Sequence, residues 1–154
     1  MVIYPSEARG RQTSRRAETG SAFIELGLML PVLLLILLGA IDFARVFFAD
    51  IALTNAAEVG AMYGARSVSG SSDLTSMQDA STADAADLSG VTATASQYCT
   101  CGNGAAHSCP VSCSGSTLHT FVSVTTSYTF TPLVPFPGIP SSVPMTRTAV
   151  MRVQ

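Results

Sequence analysis

Apolar and polar residues follow three successive patterns along this chain. Residues 22–41 are almost continuously apolar. From there to residue 66 the apolar residues recur at intervals of three and four, which is the period of an α-helix. After residue 90 they recur at every second position, which is the period of a β-strand. This order predicts one long helix over residues 21–66, followed by a small domain that contains a sheet.

The apolar run is long enough to cross a membrane. A helix of about 20 residues spans about 30 Å, which is the thickness of the hydrocarbon core of a bilayer. A cleaved secretory signal is the competing interpretation, but its apolar stretch is shorter, at about 7–15 residues. Candidate cuts after Ala40, Ala44 and Ala52 also have a large or acidic residue where a small one is needed. A transmembrane helix is therefore favoured.

Two features of this span would disturb a regular, fully apolar helix. Pro31 cannot donate a hydrogen bond to the carbonyl of Gly27, and its ring crowds that carbonyl. We therefore expect a kink or a short melted turn between Gly27 and Pro31. Glu25 is the one charged residue of the run, and an unpaired carboxylate in hydrocarbon costs about 2.5 kcal/mol or more. Glu25 needs a cation as its partner.

Beyond the span, the predicted helix carries a stripe of small residues. Alanine or glycine recurs at every fourth position, at Ala52, Ala56, Gly60 and Gly64. Small side chains let another helix or backbone approach closely. The stripe fits packing against the protein's own domain and packing between subunits equally well.

The first turns after the span combine aromatic and charged residues. Phe43, Phe47 and Ile51 line one side of the helix. Asp42 and Arg45 lie three residues apart, and we expect them to form an exposed ion pair that contributes roughly a few tenths of a kcal/mol.

Composition and charge limit the function classes. Hydrophobic residues make up 47% of the chain and charged residues only 12%, which fits a membrane-linked segment plus one small domain and argues against a two-domain enzyme. A net charge of −2 and the absence of lysine argue against a nucleic-acid partner. An excess of cations before the apolar run predicts a cytoplasmic N-terminus. These cations are Arg9, Arg11, Arg15 and Arg16.

The segment after residue 66 predicts a small α+β domain. Residues 67–72 suit a loop, and residues 73–88 suit an amphipathic helix with Ser72 as its N-cap. Strands are predicted at residues 91–99, 118–131 and 145–153. In the second strand one face is apolar and the other mostly Ser and Thr; the apolar residues are Leu118, Val122, Val124, Tyr128 and Phe130. An antiparallel sheet packed against helices gives the fold class α+β.

A cysteine-rich loop occupies residues 99–113 and contains Cys99, Cys101, Cys109 and Cys113. An even number of cysteines in an oxidising, extracytoplasmic compartment predicts disulfides. A bridge within the first pair would close a very tight ring, so two bridges from the first pair to the second are favoured. Zinc held by four thiolates, or by three with His107, is the alternative, and the absence of C-x2-C spacing disfavours it.

No constellation of residues indicates catalysis. His107 and His119 lie in a predicted loop and on a predicted strand, without a neighbouring triad or phosphate-binding glycine motif. We therefore expect no enzymatic activity, no metal and no cofactor.

The residues around Glu25 resemble the cleavage site of type IV prepilins. The stretch RRAETGSAFIEL combines a basic leader, a glycine and a following glutamate. The resemblance implies that a prepilin peptidase cuts between Gly20 and Ser21 on the cytoplasmic side and leaves the helix anchored. It also implies that the new α-amine of Ser21, from the same or a neighbouring subunit, pairs with Glu25 and sets subunit register. A buried charge is tolerable when it is paired.

A longer segment, residues 21–67, is similar to the TadE-like family of the tight-adherence (Flp) pilus machinery. The similarity consists of a Glu-x5-Pro membrane helix, an acidic-aromatic-x-Arg exit and an LTNAAxxGA continuation. The matching positions are Glu25, Pro31, Asp42, Phe43, Arg45, Leu53, Thr54, Asn55, Ala56, Ala57, Gly60 and Ala61.

The resemblance predicts a minor pilin-like component (a pseudopilin) that assembles a type IV-like pilus together with pilin subunits and other Tad proteins. The related TadF and TadG proteins have similar N-termini. The expected organisation is a leader at residues 1–20, a membrane and assembly helix at 21–66 and an exported domain at 67–154, anchored once in the cytoplasmic membrane. The alternative is a membrane-tethered extracytoplasmic binding domain outside any pilus, and an anchored zinc enzyme is a third candidate.

Overall fold

The computed structural model describes residues 15–102, 104–135, 138 and 140–154, with side chains from residue 20 onward. Most of the predicted leader, residues 1–20, therefore lies outside the described residues, as do the side chains of its four arginines. Contacts within the chain define two compact units, Met1–Ala40 and Ile41–Gln154.

The longest element is helix α1, Arg15–Ala65. Alanine and leucine, which favour helices, are frequent in it, and Pro31 is its one proline. The helix ends within one residue of the predicted end but begins six residues earlier than predicted, at Arg15. Nothing in the sequence between Arg15 and Gly20 breaks a helix, so the helical backbone extends into the predicted leader.

The second unit contains the last part of α1, two further helices and four strands. Its helices are α2 (Val68–Ser71) and α3 (Leu74–Asp84), and its strands are β1 (Thr92–Cys101), β2 (Ala106–His107), β3 (Leu118–Phe130) and β4 (Val143–Arg152). The strands form one antiparallel sheet in the order β2-β1-β3-β4, in which Val124 of β3 pairs with Ala95 on one side and Ala149 on the other. The predicted α+β fold is confirmed.

One face of the sheet packs against α1 and α3 and forms two clusters of buried residues. The first joins Ala61 and Met77 to Val122, Val124 and Val153, and the second joins Ala49 and Leu53 to Phe130 and Met145. The apolar face predicted for β3 is thus the buried one. Thr126 is the polar residue on this face: it alternates with Val124 and Tyr128, and its side chain is fully buried among the apolar residues. Its hydroxyl donates to the carbonyl oxygen of Leu53 at 2.9 Å, which offsets the cost of burying it.

The connection from α1 to α3 differs from the prediction in two details. The predicted loop 67–72 contains the single helical turn α2, capped by the Ser67 hydroxyl, which accepts a hydrogen bond from the amide of Gly70. Helix α3 is capped by Asp73, not by Ser72, because the Asp73 carboxylate accepts from the hydroxyl and the amide of Ser76 at 2.7 and 3.0 Å. These two hydrogen bonds, with the hydroxyl contributing more, hold the pKa of Asp73 below its usual range.

The end of α3 also differs, since the helix stops at Asp84 and not at residue 88. The chain turns there, and the amide of Leu88 donates to the carbonyl of Ala85 at 2.9 Å. This turn allows Leu88 to pack against the second core cluster. A further turn of helix would carry the Leu88 side chain along the helix axis. Packing of Leu88 against the cluster therefore favours the end of the helix at Asp84.

Candidate processing and assembly site

The predicted cut lies on exposed helix in the first unit. Gly20 and Ser21 are both helical and exposed, and the hydroxyl of Ser21 donates to Oε1 of Glu25 at 3.5 Å. Residues four apart lie on the same helix face, and helical side chains lean toward the N-terminus. The carboxylate of Glu25 therefore lies over the turn that holds Ser21, where it can pair with a cation placed at that position.

Helix α1 leaves its apolar side chains uncovered in the first unit. Every residue from 20 to 37 is exposed, including Phe23 at 76% and Leu28 at 72%. The helix contains an 18-residue window with a mean hydropathy of 2.5, and none of that window is buried. By length and composition this helix is a candidate membrane span. Removal of these side chains from water requires a lipid or protein surface outside the chain.

Gly27 and Pro31 remain inside the helix. The backbone is helical without a break from Gly20 to Ala65, so the predicted melted turn is not present. Pro31 removes a single hydrogen bond, the one to Gly27, and the bonds of the adjacent turns are sufficient to keep the segment helical. A Cβ at Gly27 would meet nothing within 4 Å, so this glycine faces open space.

The stripe of small residues packs inside the second unit. Ala56, Gly60 and Gly64 are buried, whereas Ala52 is half-buried. A Cβ at Gly60 would come within 2.7 Å of the Met77 carbonyl oxygen and would also overlap the Ser81 hydroxyl. A Cβ at Gly64 would overlap the Met77 side chain. Of the two alternatives that the sequence left open, the structure shows packing against the protein's own domain.

Asp42 and Arg45 do not form the simple exposed pair that the sequence suggested. They do pair, with 2.8 Å between Arg45 Nη1 and Asp42 Oδ1, but Asp42 is buried. The amide of Leu133 donates to both carboxylate oxygens of Asp42, at 3.0 and 3.1 Å. Arg45 reaches the same loop through the carbonyl of Thr131 at 3.4 Å and lies over the ring of Phe130. The pair fastens the loop after β3 to α1.

A second ion pair, between Asp50 and Arg147, joins α1 to β4. Sequence reasoning missed it, because the two residues are far apart in the chain and no periodic pattern links them. The hydrogen bond from Leu133 to Asp42 was missed as well, because its donor is a backbone amide and the pattern of side chains does not show it. The only sequence signal was the presence of Asp42 and Arg45 among the residues that carry the resemblance.

The family model for TadE-like protein matches residues 20–62. The resemblance seen in the sequence is thereby confirmed over this segment. The matched segment contains the predicted cut, Glu25, the candidate span and most of the small-residue stripe. Neither curated proteins nor solved structures gave a match to the chain.

The TadE-like positions fall into two structural groups. Most residues of the LTNAAxxGA continuation are buried against the domain, and these are Leu53, Ala56, Ala57, Gly60 and Ala61. Glu25, Phe43 and Asn55 are exposed. The buried group maintains the fold of the second unit, whereas the exposed positions are available to a partner.

The cysteine-rich loop forms two disulfides, Cys99–Cys109 and Cys101–Cys113. Each joins the first pair of cysteines to the second, as the sequence favoured. Both bridges use the thiolates on which the alternative zinc site depended. Among the residues that the structure describes, no group of three or more His, Cys, Asp or Glu side chains could hold a metal ion.

Proposed function

We propose that this chain is a minor pilin-like component of a tight-adherence (Flp) pilus. In this proposal its N-terminus lies in the cytoplasm, its C-terminal domain lies outside the cytoplasmic membrane, and a prepilin peptidase cuts it between Gly20 and Ser21. The observation that best supports the proposal is the TadE-like match, which begins at Gly20 and includes Glu25 one turn later.

Cleavage would change the electrostatics at Ser21. It creates an α-ammonium there and leaves about four backbone N–H groups without helical partners, which together with the helix dipole favour an anion. Glu25 already leans over Ser21. The cut would therefore supply the cation that makes the carboxylate tolerable within the apolar segment, on the same or a neighbouring subunit.

The position of Gly20 would help the peptidase to reach the bond. The Gly20–Ser21 peptide lies in helix, whereas peptide-binding clefts generally take extended backbone. Glycine in a helix costs about 1 kcal/mol relative to alanine. Local unwinding is therefore easier at Gly20 than at its neighbours.

Contacts between subunits would run through the first unit. The small-residue stripe is occupied by the protein's own domain, while the apolar side chains from residue 20 to 37 are exposed. We propose that these side chains contact lipid before assembly and neighbouring pilin helices after it, with Glu25 setting the register.

Co-purification with pilus subunits tests this role. The wild-type chain should co-purify with them from detergent extracts, whereas Glu25→Gln should be cut normally but recovered with them at least about tenfold less, because an amide cannot pair with the ammonium. Glu58→Gln, which changes an exposed glutamate elsewhere on α1, is the matched control.

Equal recovery of the Glu25→Gln and Glu58→Gln chains would contradict the role of Glu25 in register. A wild-type chain that never associates with pilus subunits would contradict the proposed function as a whole. The chain would then be a tethered extracytoplasmic binding domain.

A further inference from the structure

The end of the second unit that begins at Ile41 exposes apolar side chains on two separate elements. On α1, Phe43, Phe47 and Phe48 are 64%, 54% and 55% exposed, and on the loop after β3, Leu133 is 59% exposed. The rings of Phe43 and Phe47 pack edge to face, with centroids 4.7 Å apart. We call these four residues the apolar collar.

Hydrogen bonds hold the two elements of the collar at the same level. The Leu133 amide lies 3.0 Å from Oδ2 of Asp42, the residue next to Phe43. Arg45 donates to the carbonyl of Thr131 at 3.4 Å. The loop is thus fixed beside the first turn of α1 in this unit, and Leu133 is presented with the aromatic residues.

The charges at this level suit a lipid headgroup layer. The carboxylate of Asp42 is only 11% exposed and is occupied by Leu133 and Arg45, whereas the side chain of Arg45 is 40% exposed. Residues 131–135 carry no charge. Because Arg45 neutralises Asp42, no unpaired carboxylate at this level opposes contact with phosphate headgroups.

The height of the collar agrees with the same layer. The predicted span ends at Ile41, and at 1.5 Å per residue the backbone of Phe43 lies about 3 Å and that of Phe47 about 9 Å further along the helix. Helical side chains lean toward the N-terminus, so the Phe47 ring lies closer to the span than its backbone does. The headgroup layer on each side of a bilayer is roughly 5–8 Å thick, and aromatic residues are enriched there. An apolar groove of about 350 Å³, lined by Ile41, Phe48 and Phe130 among others, continues this surface.

We propose that the apolar collar is a lipid-contact surface, with which the second unit rests in the headgroup layer of the bilayer that holds the candidate span. Lipid is the occupant because the three phenylalanines follow the candidate span within a few residues on the same helix. The proposal depends on the span and is independent of a role in pilus assembly. Contact at both α1 and Leu133 would limit tilting of the domain on its helix.

A single tryptophan can test this contact, because the chain has none of its own. Full-length Leu133→Trp would be reconstituted into phosphatidylcholine vesicles with or without brominated acyl chains, which quench tryptophan on contact. The control is Val150→Trp, at a site on β4 that is 50% exposed. Val143, at the start of β4, pairs with Phe130 near the collar, and Val150 lies seven residues beyond it, roughly 23 Å along the strand. Phe47→Trp is a second collar variant and exchanges one aromatic for another.

We expect bromine to quench Leu133→Trp and Phe47→Trp at least about twofold more than Val150→Trp. Equal quenching at all three sites in chains that float with the vesicles would overturn the collar and leave the span standing. The emission of a collar tryptophan could instead shift to the blue only at high protein density, without quenching by bromine. That result would assign the surface to contact with a second copy of the chain and would also overturn the proposal. Chains that do not float would overturn both span and collar.

Discussion

At the scale of single residues, Asp42 shows how a motif position acquires its meaning from the fold. Its spacing from Arg45 predicted the ion pair correctly, but its burial follows from the loop that folds over it. A buried carboxylate is stable when hydrogen bonds satisfy it, and here Arg45 and the Leu133 amide both donate to it. The acidic-aromatic-x-Arg exit therefore fastens the end of β3 to the helix.

Replacement of Asp42 tests this fastening. In Asp42→Ala the Leu133 amide loses its acceptor, so we expect hydrogen exchange at this amide of the loop to be at least about tenfold faster than in the wild type. Asp79→Ala, at an exposed position on α3, is the control and should leave exchange in this loop unchanged. Equal exchange in the two variants would mean that other contacts hold the loop.

At the scale of elements, the small-residue stripe of α1 explains why the helix can lie so close to α3 and β3. Gly60 faces both the Met77 carbonyl and Val124, and there is no space for a side chain. The periodicity of the sequence was enough to predict the stripe. It could not identify the partner, because a stripe that packs within the chain and one that packs between chains have the same spacing.

Gly60→Ala provides the corresponding prediction. Alanine is the better helix former by about 1 kcal/mol, but its Cβ would overlap Ser81 and approach the Met77 carbonyl. We expect the free energy of unfolding to fall by about 1–3 kcal/mol, measured by urea denaturation of the full chain in detergent.

Gly39→Ala is the matched control on the same helix, because a Cβ there would meet nothing within 4 Å. It should leave the stability unchanged or raise it slightly. A Gly60→Ala chain as stable as Gly39→Ala would contradict the close packing of α1 on α3.

The strands were easier to predict from the sequence than the caps and turns. Alternation over β3 fixed its apolar face, because the register of a half-buried strand follows its hydrophobic residues. The cap of α3 was misplaced by one residue, since Ser72 and Asp73 both have capping side chains and only the path of the chain decides between them. Alternation places Thr126 on the apolar face of β3, but the acceptor that allows a hydroxyl to be buried there, the Leu53 carbonyl of α1, lies 73 residues away and could not be predicted from the strand.

At the scale of the whole molecule, the two units present different surfaces to their surroundings. In the first, the described side chains, from residue 20 onward, form a largely exposed apolar helix with one carboxylate, and the second is an α+β fold with its own core. Two disulfides, each joining cysteines 10 or 12 residues apart, strengthen this small core, and a loop of that size contributes about 3 kcal/mol. The sequence predicted both the candidate membrane helix and the cross-linked loop, but the cysteine pairing required the structure.

The central claim is that the chain is cut between Gly20 and Ser21. The most direct measurement is the N-terminal sequence and intact mass of the membrane-extracted protein, from cells with and without an active prepilin peptidase. We expect the protein to begin at Ser21 only in cells where the peptidase is active. A chain that keeps residues 1–20 in both kinds of cell would contradict it and would leave a static anchored domain.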